Sequence, residues 1–143
     1  MYSHSSVCIC LAISIICAGC LRKAYDYPQE SLVTASGRSV LIGMVNHGSL
    51  SIEYNGVLIY VDPVSVNGRC DYTLMPKADY VFFTHPHYDH FDKLTLKEIS
   101  KPSTVVVAPE GCAIEGDVRH VLKNGDELLL RDTRTLSNGF QAL

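Results

Sequence analysis

The chain has 143 residues, which is enough for one domain of ordinary size and too few for two. Its formal net charge of −3 and its pI near 6.0 leave it without a basic surface, so nucleic acid is excluded as an expected partner. Hydrophobic residues make up 47% of the chain, as in a globular protein, although an apolar N-terminal segment inflates this share.

The N-terminal segment contains a run of twelve residues, Val7 to Ala18, that is apolar except for one serine. Such a run is too short to span a bilayer, which needs about 20 residues, and is typical of the core of a signal peptide. It ends in Cys17-Ala18-Gly19-Cys20, which resembles a bacterial lipobox. A buried helix is the alternative, but four cysteines and no amphipathic period disfavour it. We therefore predict a signal peptide over residues 1–20, with Cys20 lipidated in an exported lipoprotein of a bacterial cell envelope.

Residues 21–37 are polar and rich in turn-forming residues, which predicts a tether between the membrane and a domain spanning residues 38–143. The domain should begin with three apolar strands, at Val40–Val45, Ser49–Tyr54 and Val57–Val61. The dipeptide Asn55-Gly56 lies between the second and the third strand and favours a tight hairpin.

The rest of the domain alternates between predicted strands and one helix. The strand Asp79–Thr84 is apolar through its centre, as expected where a strand is covered on both faces. A helix is predicted over Lys93–Ser100, with Asp92 as its cap and with Leu94 and Ile99 facing the sheet. Three further strands are predicted at Thr104–Ala108, Val118–Leu122 and Glu127–Arg131, the last two joined by a turn at Asn124-Gly125-Asp126. His120 lies inside one of these strands and is predicted to be structural.

Six cysteines occur in the chain, but only Cys70 and Cys112 lie in the domain. No C-x-x-C pattern of a zinc site connects them. They are expected to be free buried thiols, and a disulfide between them in an oxidising compartment is the alternative.

Three histidines and one aspartate fall within six residues directly after the strand Asp79–Thr84: His85, His87, Asp89 and His90. Because side chains alternate along an extended backbone, His85 and His87 should lie on one side, and a following turn could bring Asp89 and His90 close. Imidazole and carboxylate ligands suit zinc and neighbouring ions, and two such ions roughly 3.5–4 Å apart form a hydrolytic centre. A histidine-rich surface loop without chemistry is the alternative.

The motif His85-x-His87-x-Asp89-His90 resembles the signature of the metallo-β-lactamase superfamily. Within that superfamily the chain is most similar to the L-ascorbate-6-phosphate lactonase-like metal-dependent hydrolases. The supporting segments are His47–Glu53, Asn55–Pro63 and Asn124–Asp126. The resemblance runs from about Val40 to about Asp132 and covers the first half of the family's domain. It implies an α/β fold, namely the first half of an αββα sandwich, with a mixed sheet and a helix packed on it.

The resemblance also implies roles for individual residues. His85 and His87 would hold one divalent ion, and Asp89 and His90 would hold a second, with zinc expected and manganese as the alternative. Asp89 would also orient the attacking water or protonate the leaving group. Asp62, at the end of a strand, would support the metal-binding loop through hydrogen bonds. His47 is either a structural histidine or a residue beside the metal site, where it would line the substrate side or support the ligands as Asp62 does.

The implied activity is hydrolysis of a small-molecule lactone, ester, amide or phosphodiester, with the substrate left open. The alternative is a truncated, non-catalytic relative with an incomplete metal site, because two ligands per ion predict weak binding. Self-association could complete such a site. After Asp132 the resemblance ends, so we expect a frameshift or premature stop, with the rest of the domain encoded downstream in another reading frame.

Overall fold

The structure, a computed structural model, describes residues 27–65, 70–114 and 119–130. The predicted signal peptide and the predicted lipidation site at Cys20 lie outside these residues. The described elements form one sheet of seven strands with one helix and one 3-10 turn, Tyr72–Leu74. The strands are β1 (Gln29–Val33), β2 (Ser39–Asn46), β3 (Ser49–Tyr54), β4 (Val57–Val61), β5 (Tyr80–Phe82), β6 (Val105–Ala108) and β7 (Arg119–Val121), and the helix is α1 (Lys93–Ile99). Within the described ranges, no helix has both the length and the apolar character needed to cross a membrane.

The strands lie in the sheet in the same order as in the sequence, from β1 at one edge to β7 at the other. Pairing is antiparallel from β1 to β4 and parallel from β4 to β7, so the sheet is mixed, as predicted. Because β2 and β4 are both antiparallel to β3, these two strands run in the same direction. The C-terminal ends of β2, β4, β5 and β6 therefore lie together along one border of the sheet, perpendicular to the strands.

The predicted hairpin between β3 and β4 is present. Asn55 and Gly56 have φ angles of 51° and 74°, and their neighbours Tyr54 and Val57 form the first pair of the ladder. Two consecutive positive φ angles are the requirement of a type I′ turn, and Asn-Gly is the dipeptide that meets it most readily. This turn fixes the register of the two strands that it connects.

The two faces of the sheet differ in their cover. On one face Tyr60, Val81 and Val106 are in register on β4, β5 and β6, and all three belong to the buried core. Ile99 of α1 packs into the same core cluster. On the opposite face Ile52, Ile59 and Val105 are half-buried, whereas Tyr80 and Val107 are buried. The sheet with α1 on one face is the α/β arrangement that the sequence predicts.

Helix α1 begins after its predicted cap. The Asp92 carboxylate accepts hydrogen bonds from the backbone N–H groups of Leu94, at 2.9 Å, and of Thr95, at 3.3 Å. Thr95 and Ile99, four residues apart, form the buried face of the helix. The prediction that Leu94 faces the sheet is wrong, since 73% of this residue is exposed. Leu94 lies one position before Thr95 and therefore about 100° away from the buried face.

Two further segments differ from the sequence prediction. Residues 21–37, predicted as a tether, include β1, which pairs with β2 at the edge of the sheet. Four of its five residues are exposed, so β1 carries no apolar pattern that would have identified it. The predicted strand Glu127–Arg131 is not formed over its described residues, 127–130. Leu129 is 76% exposed, so burial does not favour an extended strand there.

Candidate metal centre

The candidate ligands lie at the edge of the sheet where the parallel strands end. Asp62 directly follows β4, and Thr84 with the histidine motif follows β5 on the neighbouring strand. His47 lies in the turn from β2 to β3, at the same edge. The carboxyl ends of parallel strands are where α/β proteins commonly place their ligands, because loops from neighbouring strands converge there.

Asp62 is the most buried carboxylate of this region, with 3% of its surface exposed. It accepts hydrogen bonds from the Thr84 backbone N–H at 2.7 Å, the Thr84 hydroxyl at 2.6 Å and Nδ1 of His90 at 2.8 Å. Its backbone carbonyl accepts another from the Ser49 hydroxyl at 2.6 Å. Its φ angle of 43° is uncommon for a residue other than glycine, and these contacts hold the strained position. Asp62 therefore lies beneath the histidine motif and is hydrogen-bonded to its neighbours Thr84 and His90.

The hydrogen bonds to Asp62 and Thr84 determine which ring nitrogen of His85 and of His90 is free to bind a metal ion. His90 donates from Nδ1 to the carboxylate, so its Nε2 keeps a lone pair. The Thr84 hydroxyl gives its one proton to Asp62, so its oxygen accepts from Nδ1 of His85, at 2.8 Å. Nε2 of His85 is therefore also available to a metal ion. Thr84 was not among the predicted site residues.

The three histidine rings of the motif are close to one another. The ring centroids of His85 and His87 are 4.7 Å apart, and those of His85 and His90 are 4.1 Å apart. His87 is exposed, whereas His85 and His90 are half-buried. The structure thus brings together the side chains that the spacing of the motif indicated.

Asp89 and His47 form the outer part of the cluster. Nε2 of His47 lies 3.3 Å from Oδ2 of Asp89, and Nε2 of His90 lies 3.9 Å from the same oxygen. Partial desolvation alone would raise the pKa of the Asp89 carboxyl. Hydrogen bonds from its own backbone N–H and from His47, with the nearby charge of His90, nevertheless hold this pKa below its usual value. Asp89 is therefore ionised at neutral pH and able to bind a cation.

Two groups of three side chains fit a divalent ion by their donor atoms and spacing. One consists of His47, Asp89 and His90, and the other of Asp62, His85 and His90, with all donor atoms of a group within 4.8 Å of one another. Nitrogen and carboxylate oxygen donors of this kind suit zinc and neighbouring first-row ions. His87, a predicted ligand, and His120, on β7, are both exposed, and neither belongs to these two groups.

Comparison with known proteins agrees with the fold. The sequence model of the beta-lactamase superfamily domain matches residues 41–138, which is more than half of the chain. A crystal structure of a candidate metal-dependent hydrolase from Parabacteroides distasonis is similar, with 38% sequence identity and a TM-score of 0.64. The similarity covers 71% of this chain and 45% of the other, so the chain spans less than half the length of that protein. No curated protein matches the chain.

Proposed function

Because this chain belongs to the beta-lactamase superfamily, we propose that it acts in metal-dependent hydrolysis, with His85, His87, Asp89 and His90 as metal ligands. The substrate class is a small molecule with a lactone, ester, amide or phosphodiester bond. Zinc is the proposed metal, and manganese is the alternative that the same donors would accept.

The observation that carries this proposal is the set of hydrogen bonds around Asp62. Metal-binding histidines typically donate their second ring nitrogen to a carboxylate or another acceptor, which fixes the ring and its tautomer. His90 donates directly to Asp62, and His85 is connected to Asp62 through the Thr84 hydroxyl. A surface loop that happens to be rich in histidine would not need a buried carboxylate that orients two of its rings.

Each residue has a definite task in the proposed reaction. A bound divalent ion would supply Lewis acidity, which activates water as a nucleophile and polarises the bond to be cleaved. Asp62 keeps a proton on Nδ1 of His90 directly and on Nδ1 of His85 through Thr84. Nε2 of each ring is thereby left free to bind the ion. The Asp89 carboxylate, ionised at neutral pH, would accept a hydrogen bond from the attacking water or take up its proton at Oδ1, the oxygen left free when Oδ2 holds the ion.

The proposal is tested by loading the purified chain with zinc or manganese and measuring bound metal and hydrolysis of chromogenic esters, lactones and phosphodiesters. We expect bound metal and a hydrolytic rate that a chelator removes. The double substitution His85→Ala/His87→Ala should abolish the rate, whereas His120→Ala should leave it unchanged. A wild-type chain that folds but binds neither metal at micromolar concentration would overturn the proposal.

We also propose that the protein is exported and anchored to a membrane through a lipid on Cys20. The apolar run up to Ala18 and the Cys17-Ala18-Gly19-Cys20 sequence support this proposal. Replacement of Cys20 by alanine should leave an unprocessed precursor that migrates more slowly on a gel. Identical migration and identical membrane partitioning of both forms would count against lipidation.

A further inference from the structure

We infer that His47 is a third protein ligand of the ion that Asp89 and His90 would hold. This inference rests on the proposed function, since it concerns the same metal centre. The sequence predicted two ligands for each ion, and therefore weak binding. With His47 added, one of the two positions has three protein ligands, which is the number that catalytic zinc sites usually have.

The topology of the sheet brings His47 to the histidine motif, although the two are distant in the sequence. The turn after β2 lies at the same edge of the sheet as the loop after β5. Within this turn, Gly48 lies directly against the His90 ring: a Cβ atom at this position would be 3.0 Å from Cε1 of His90. The absence of a side chain at Gly48 therefore lets the turn approach His90 closely. His47 is brought beside His90 as a result, with their ring centroids 5.3 Å apart.

The donor atoms of the three side chains converge. Oδ2 of Asp89 lies 3.3 Å from Nε2 of His47 and 3.9 Å from Nε2 of His90. Ligands of a tetrahedral zinc ion, at about 2.0–2.1 Å from the metal, are roughly 3.3 Å from one another. The first separation already has this value, the second is longer, and all three donor atoms lie within 4.8 Å of one another, so a bound ion would draw the side chains closer together. Nε2 of His90 is free for the ion because Nδ1 donates to Asp62.

A simple surface ion pair does not account for the geometry of His47. Its φ angle of 50° lies in the left-handed region, which is unfavourable for a residue other than glycine. The side chains of His47 and Asp89 are 47% and 34% exposed, and ion pairs as exposed as this contribute little to stability. The positive φ angle suits the two-residue turn between Asn46 and Ser49, and this turn places the His47 ring beside Asp89 and His90.

The second group of possible ligands, Asp62, His85 and His90, is less suited to an ion. The Asp62 carboxylate already accepts three hydrogen bonds within the protein. A metal at Asp62 would have to displace at least one of these buried donors, which is costly. In the group that contains His47, an ion would displace only the solvent-exposed hydrogen bond between His47 and Asp89.

The test compares the wild-type chain with His47→Asn, because asparagine tolerates the left-handed backbone without supplying an imidazole. His120→Ala serves as the control histidine variant, and circular dichroism confirms that each variant is folded. Zinc affinity is measured by competition with a chromophoric chelator, and coordination is followed through the visible absorption of bound cobalt. We expect a loss of affinity for one ion of about tenfold or more, and a changed cobalt spectrum, in His47→Asn only.

Two results would overturn the inference in different ways. If His47→Asn binds zinc as tightly as wild type and gives the same cobalt spectrum, His47 is not a ligand, although the proposed function stands. If the folded wild-type chain binds no ion, the proposed function fails and the inference fails with it. His47→Gln provides a second variant that answers the same question if His47→Asn does not fold.

Discussion

The Thr84 hydroxyl donates a hydrogen bond of 2.6 Å to the buried Asp62 carboxylate and accepts one of 2.8 Å from Nδ1 of His85. Thr84 thus connects the Asp62 carboxylate to His85 through two hydrogen bonds and holds the His85 ring in one orientation. Substitutions that weaken such support for a ligand typically cost about 10–100-fold in metal affinity.

We predict that Thr84→Val lowers zinc affinity by about 10–100-fold, because valine has a similar shape but cannot orient His85. Thr84→Ser keeps the hydroxyl and should retain most of the affinity. A chelator competition titration of both variants measures the difference. Equal zinc affinities for the valine and serine variants would contradict the role of the Thr84 hydroxyl in orienting His85.

Asp62→Asn should lower the free energy of unfolding by about 2–4 kcal/mol, because an amide cannot accept from all three donors that converge on this carboxylate. Urea denaturation monitored by circular dichroism measures the change. Asp71→Asn is the matched control: Asp71 is exposed and caps the 3-10 turn, where asparagine is an equally good cap. A comparable loss for both substitutions would contradict the special role of Asp62.

Tyr72 should make the stability sensitive to alkaline pH. The residue is fully buried, and its hydroxyl makes no hydrogen bond of good geometry in the described part of the chain. Burial raises its pKa to about 12, against a smaller lowering by the nearby Ser49 side chain and Val64 backbone. The unfolded chain loses this proton near pH 10, whereas the folded chain keeps it until about pH 12. The contribution to stability is therefore complete below pH 10 and is lost as the pH rises to 12, with a total of about 2–3 kcal/mol.

The substitution Tyr72→Phe removes this titration and also removes a buried hydroxyl without a partner among the described residues. We expect it to be neutral or slightly stabilising at pH 7 and to flatten the decline in stability between pH 10 and pH 12. Tyr88→Phe, at a residue that is 86% exposed, should leave the decline unchanged. Urea titrations at a series of pH values test both statements, and an unaltered decline in Tyr72→Phe would refute the assignment.

The cap of α1 should have a measurable effect on stability. Asp92→Ala removes the acceptor of two backbone N–H groups and is expected to cost about 1 kcal/mol. Asp92→Asn retains a capping oxygen and should cost less. Thermal unfolding of the two variants ranks them, and an inverse ranking would show that the cap is not what stabilises the first turn.

The elements that the sequence predicted well are those with a local pattern. β2 and β4 carry continuous apolar runs, β3 alternates polar and apolar residues, and Asn55-Gly56 specifies the hairpin of β3 and β4 through backbone preference alone. β1 has no such pattern, because an edge strand with four exposed residues forms through backbone pairing with β2. Pairing of this kind depends on a neighbouring strand rather than on local sequence preferences.

The candidate site also contains residues that the sequence pattern predicts and residues that only the folded structure brings together. The motif from His85 to His90 is contiguous, so its clustering at the end of β5 was predictable. The proximity of His47 follows from the directions of β2 and β4, which become clear only when the pairing of strands is known. Thr84 was missed because its importance lies in the direction of two hydrogen bonds rather than in residue type.

The consecutive order of the strands has a consequence for biosynthesis. No described strand has to be inserted between two that formed earlier, so the sheet can grow by addition at one edge as the chain emerges from its N-terminal end. All side chains of the candidate centre lie between His47 and His90, before β6 and β7 in the sequence. The framework of the centre can therefore assemble before the last two strands are added.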